Sequence, residues 1–122
     1  MDRRKFSRIS LDFIGTLQGE VQRRTYSVHV RDVSLKGAFV ELAKYEDVPH
    51  FFPGQKYVLT IQLQPTIKIV MYMTCRHVVK NKLGLECDRI DPESISTLKT
   101  MLENNLGRAD VMNRELNVLM NS

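Results

Sequence analysis

From about residue 11 to residue 90, apolar side chains recur at every second position, and nothing in that span repeats them at helical spacing. That period constrains the chain more than any other feature. A period of two puts alternate side chains on opposite faces of an extended backbone, so each such segment needs a neighbouring strand for its backbone and a core for one face. In "LDFIGTLQG" the spacing places Leu11, Phe13, Gly15 and Leu17 on one face, and in "TYSVHVRDVS" Tyr26, Val28 and Val30 alternate with Ser27, His29 and Arg31. "GAFVEL" sets Gly37 and Phe39 against Val40 and Leu42, and "KYVLTIQL" aligns Tyr57, Leu59, Ile61 and Leu63. "IKIVMYMTCRHVVK" is long enough for one extended strand, in which Cys75 and His77 share a face. Asn81-Lys82 serves as a hairpin turn into "LGLECDRI". Between the strands, Pro49, Pro53 and Gly54 make "VPHFFPG" a loop, and Tyr45, Glu46 and Asp47 read as a solvated loop before it. About six short strands with no intervening helix predict a mainly all-β fold, an antiparallel barrel or sandwich.

The pattern changes at "DPES". Asp91 can cap a helix with Pro92 in its first turn, where a missing N–H costs nothing. Ile95, Leu98, Met101, Leu102 and Leu106 then recur at helical spacing, and Gly107 is a natural stop. Met112, Leu116, Leu119 and Met120 form a second, shorter helical stripe, suited either to the same core or to another molecule. The chain of 122 residues therefore divides into an arginine-rich arm (1–10), a strand region (11–90) and a helical segment (91–122), within a single expected domain 1–122.

Charge adds a location. Net charge is +4, and residues 1–36 hold eight basic side chains against four acidic ones, while the remainder holds ten of each. The excess is confined to the first third, which points to a local anion site and not to a uniformly basic body. No apolar run reaches the roughly 20 residues of a membrane helix, no apolar segment follows the N-terminal charges as a secretory signal requires, and two cysteines, Cys75 and Cys87, are too few for a disulfide scaffold. These features predict a cytoplasmic location with no membrane insertion.

Two stretches carry chemistry. In "RRKFSR", Arg4 and Arg8 lie four apart with Arg3 beside the first, and Phe6 can anchor the segment. A guanidinium fork grips a phosphate with paired hydrogen bonds, grips the O6/N7 edge of guanine, or stacks on a base. In "RDVSLKG", Asp32 and Ser34 project from the same face of an extended strand, and Gly37 lets the chain turn or lets a flat ligand approach the backbone. Taken alone, the second stretch also fits an ordinary turn.

Together, Arg4-Lys5-Phe6-Ser7-Arg8 and Asp32-Val33-Ser34-Leu35-Lys36-Gly37 resemble the PilZ domain family, bacterial receptors for the second messenger cyclic di-GMP. "LGLEC" is similar to the family's late barrel strand, so the resemblance covers nearly the whole chain; Cys87 stands where a larger side chain is often found. The resemblance implies a six-stranded antiparallel barrel with a C-terminal α-helix and the ligand on the outer surface, to which the Met112–Met120 stripe adds a further short helix. It implies that Arg4 and Arg8 bind phosphate and the guanine Hoogsteen edge, that Asp32 accepts from guanine or orients an arginine, that Ser34 reaches phosphate or base, and that Gly37 leaves room for the purine. Arg3 adds a cation contact from its position. No cofactor beyond the cyclic di-GMP ligand is implied, and a downstream protein partner in motility, biofilm or exopolysaccharide control is expected.

Three other readings compete. A small basic barrel can bind single-stranded nucleic acid, but that work needs exposed aromatics interleaved with cations, and the chain has no Trp. An enzyme is not expected: His29, His50 and His77 lie far apart in sequence, with no nucleophile elbow, phosphate loop or zinc motif, and Cys75 with His77 makes too few ligands for a metal. A PilZ fold acting only as a protein-interaction module is the third.

Overall fold

The computed structural model describes residues 9–106, with side chains described for residues 13–103. Six strands run in chain order as β1 (Ile9–Gly19), β2 (Thr25–Ser34), β3 (Gly37–Leu42), β4 (Lys56–Gln64), β5 (Ile67–Val79) and β6 (Lys82–Ile90), followed by α1 (Pro92–Leu106). Every pairing is antiparallel, and the order β1-β2-β3-β6-β5-β4 closes on itself through β1–β4 contacts. The expected six-stranded barrel with a C-terminal helix is the fold. The second helical stripe, Met112 to Met120, lies outside the described residues.

The two-residue period does what it predicts. Leu17, Val28, Val30, Val40, Leu59, Ile61, Ile69, Met71 and Leu83 all point inward and are buried. Removing such side chains from water is the main stabilising contribution, on the order of 1.5–3 kcal/mol for each large aliphatic residue before chain entropy is counted.

The barrel's two rims are closed differently. Beyond the Met71–Ile90 pair β5 has no partner in β6, and the Val70 N–H donates instead to the buried Ser94 hydroxyl of α1 at 3.0 Å. That anchor lays α1 along β5 and brings Leu98, Met101 and Leu102 into the core. The Asp91 carbonyl accepts from the Ile95 N–H and closes the first helical turn. At the opposite rim Phe51 packs edge-on against Tyr26, with centroids 4.7 Å apart, and stacks on Tyr57 at 4.8 Å.

Three local expectations are corrected. Residues Tyr45–His50 form a short 3-10 helix where the sequence reads as loop; Asp47 N–H donates to the Lys44 carbonyl, and Pro49 fits because a helix this short leaves its donor unneeded. The β5–β6 turn is Lys80-Asn81, one residue earlier than predicted, with Lys80 in the left-handed region at φ 57° and the Asn81 side-chain amide donating to the Leu42 carbonyl at 3.0 Å. Cys75 and His77 do not share a face. The register steps from Cys75–Leu85 to His77–Gly84, a bulge that sets two residues against one, so Cys75 is wholly buried and His77 exposed.

Candidate functional site

The second half of the motif forms the β2–β3 turn. Ser34 pairs with Gly37 across it, and the buried Ser34 hydroxyl accepts from the Lys36 backbone N–H at 3.1 Å. This is a serine turn in which the side chain substitutes for a backbone acceptor. Gly37 is required by its neighbour strand: at φ 158° a Cβ would stand 2.0 Å from the Leu85 carbonyl oxygen of β6. Thus Ser34 and Gly37 build the turn that holds Asp32 in place.

A bulge between Val30 and Asp32 lets both Arg31 and Asp32 leave the core side. Asp32 is half-buried and pairs with Phe39, Phe39 pairs with Gly84, and Gly84 pairs with His77. Paired residues of a sheet face the same way, so Asp32, Phe39, Gly84 and His77 run as one row across the outside of the barrel. The row lies in a concavity of about 580 Å³ that Lys36, Arg76, Lys82 and Glu86 also line. Between the Phe39 and His77 rings the floor is bare backbone at Gly84, where an added Cβ would meet the His77 ring at 3.3 Å.

Electrostatics divide this wall. Arg76 holds Glu86 at 2.6 Å and Arg31 holds Glu41 at 2.9 Å, two exposed pairs of small stabilising value. The Arg31 hydrogen bond, followed by nearby cations, keeps the Glu41 carboxyl below the usual carboxylate range against the opposing effect of desolvation. Below the groove, Thr74 donates to Asp88 at 2.5 Å while accepting from Lys56 at 2.6 Å.

Asp32, Ser34 and Gly37 therefore share the β2–β3 turn, but Asp32 lines the concavity while Ser34 and Gly37 are buried beside it, and Arg3, Arg4 and Arg8 lie outside the described residues. The first described strand still locates the root of the arm. Ile9 pairs with Val33 and Ser10 with Asp32, so the chain leaving Arg8 joins the barrel directly beside the motif's acid. Sequence reading did not bring Phe39, Gly84 and His77 into this concavity. Their common row depends on β3–β6 and β5–β6 register, and only the flat spot at Gly84 within "LGLEC" hinted at it. Among the described residues no group of three or more His, Cys, Asp or Glu could hold a metal ion, and no helix is long and apolar enough to cross a membrane.

The sequence matches the model of the PilZ domain family over residues 2–104. Among solved structures, the fold is similar to the PilZ domain with c-di-GMP of YcgR from Escherichia coli (TM-score 0.71, 14% identity, covering 93% of this chain and 99% of that one). It is also similar to the Bacillus subtilis inhibitor of motility MotI/DgrA (TM-score 0.68, 22% identity, 88% of this chain), although the chain spans only 54% of that protein's length. A third likeness is to the PilZ domain of CeSA from a cellulose-synthesizing bacterium (TM-score 0.59, 10% identity, 83% of this chain and 96% of that one).

Proposed function

Since the chain belongs to the PilZ domain family, we propose that it is a receptor for cyclic di-GMP that signals by closing its N-terminal arm over the ligand. The observation that carries this reading is the register of β1 on β2: Ser10 lies opposite Asp32, so the strand that follows Arg4 and Arg8 starts beside the acid–serine–glycine turn. The solved YcgR domain, similar in fold, has c-di-GMP in its structure.

In this reading Arg4 and Arg8 bind phosphate and the guanine edge, with Arg3 adding a third cation. Asp32 accepts from guanine N–H groups or orients an arginine. Ser34 keeps its hydroxyl proton for a ligand oxygen while its lone pair holds the turn, and Gly37 leaves the surface open to the purine. Phe39 and His77 flank the flat floor at Gly84, which suits a stacked base. Closing a charged arm costs conformational entropy, and several charge-assisted bonds at about 1.5–3 kcal/mol each offset it. The closed arm changes the surface that a downstream protein meets, which is how a binding module transmits a signal without catalysis.

Titration calorimetry tests the reading with cyclic di-GMP, cyclic di-AMP and GTP. We expect cyclic di-GMP to bind most tightly, and Arg8→Ala to weaken it about 10- to 100-fold, the loss of one charge-assisted contact. Absence of binding by the unaltered protein would overturn it and leave an interaction module, and equal affinity in the Arg8→Ala variant would overturn closure through the arginine arm.

A further inference from the structure

The rim opposite the motif turn holds a second concavity, of about 260 Å³, lined by the β1–β2 turn, the end of the 3-10 helix with the residues after it, and the start of β4. Its walls are unlike those of the first groove. Tyr26, Tyr57 and Phe52 supply rings, Arg24, His50 and Lys56 supply cationic or titratable nitrogen, and Glu20 supplies the carboxylate of the lining.

The exposed Arg24 side chain makes two contacts. Its guanidinium carbon sits 5.6 Å from the centre of the Tyr26 ring, and Nη1 lies 3.4 Å from His50 Nε2. Because a guanidinium only donates, that contact requires Nε2 to be the acceptor. The backbone beneath is tied down as well. Gly19 N–H donates to the Arg24 carbonyl, Arg23 N–H to the Gly19 carbonyl, and the Gln18 side-chain amide to the Arg23 carbonyl, with Arg23 itself in the left-handed region at φ 60°. On the other wall Tyr57 donates its hydroxyl to the His50 carbonyl at 3.1 Å, fixing the imidazole's backbone. Phe52 remains half-exposed at the mouth.

We propose that this rim cavity is a second ligand site, separate from the cyclic di-GMP groove, for a small flat ring bearing one anionic group. A guanidinium with several donors left over suits a carboxylate or phosphate oxygen pair, and Arg24 is the cation for it, because the Lys56 ammonium is turned to Thr74 and Asp88. The half-exposed Phe52 ring offers a face to a planar body, while Tyr26 and Tyr57, both buried against Phe51, form a fixed floor beneath it. A volume just under the roughly 300–1,000 Å³ of drug-sized sites admits one ring with one charged substituent and excludes a dinucleotide.

The test uses the full chain, isotopically labelled, and three probes: benzoate (ring and charge), benzamide (ring only) and acetate (charge only). Backbone amide shifts of Gly19, Arg24, Gln55 and Lys56 report on the cavity, and those of Asp32 and Gly84 on the first groove. Benzoate is expected to give saturable shifts confined to the rim cavity, at least five-fold tighter than either partial probe, and Arg24→Ala to weaken it at least ten-fold. Phe52→Ala, at an exposed position, serves as the second variant and should weaken benzoate while leaving acetate unchanged. Equal response to all three probes, no saturation by 10 mM benzoate, or unchanged benzoate binding in both variants would overturn the proposal. None of these outcomes bears on cyclic di-GMP binding at the other groove.

Discussion

A Cβ added to Gly37 would stand 2.0 Å from the carbonyl oxygen of Leu85. That oxygen belongs to the backbone of β6, so no rotamer change relieves the clash, and β3 and β6 would have to part where Gly37 pairs with Glu86. Gly37→Ala should cost about 3 kcal/mol or more, the upper range for overpacking. Thermal unfolding would then begin roughly 10 °C lower. An unchanged midpoint would show that the barrel can open there cheaply.

Gly84 gives the contrasting case. The three atoms nearest its added Cβ belong to the exposed His77 side chain, and the closest, at 3.3 Å, is in the ring, which can swing aside. Gly84→Ala should change stability by less than about 1 kcal/mol, because the unfolded chain also loses freedom. Cyclic di-GMP affinity, measured by calorimetry, should nevertheless fall, since the methyl fills the flat floor between Phe39 and His77. Equal affinity would remove the Gly84 floor from the base-binding role given to it.

Asp88 predicts an acid limb in stability. The Thr74 hydroxyl first, then the Lys56 ammonium, hold its carboxyl below the usual carboxylate range, with desolvation opposing them. A depressed pKa in the folded state stabilises above the unfolded value of about 3.9 and loses that contribution as pH falls through the folded value. Urea midpoints measured from pH 6 down to pH 2.5 should therefore fall less steeply in Asp88→Asn than in the unaltered protein below about pH 4.

Tyr57 predicts the alkaline limb. Burial pushes its phenol up to about 12, with the Cys75 thiol and Tyr26 adding to the rise. The sign is opposite to that of Asp88: the neutral phenol stabilises fully below the unfolded value of about 10, and the contribution disappears as pH rises toward 12. Ultraviolet titration should show a late tyrosine ionisation, and Tyr57→Phe should abolish that late step.

The strands were legible because burial on one face leaves its period in the sequence, as Tyr57, Leu59 and Ile61 illustrate. The bulges were not. Whether Cys75 and His77 share a face is decided by how many β6 residues stand opposite them, a matter of pairing that local sequence does not encode. The same holds for the site. Asp32, Ser34 and Gly37 announce themselves by spacing within one turn, whereas Phe39, Gly84 and His77 become neighbours only when three strands settle into register. The 3-10 helix at Tyr45–His50 escaped because its residues are all at least partly exposed, so it leaves no apolar stripe to read.

The Val70–Ser94 hydrogen bond reaches beyond the packing of one helix. With the strand order closed and that amide taken by a hydroxyl, β5 withholds from a visiting strand the Val70 donor where β6 has ended. Association by strand addition, and the fibrillar stacking that can follow it, is therefore disfavoured along this stretch. Recognition is left to side chains and rims, so a partner must read chemical detail there instead of borrowing a ladder.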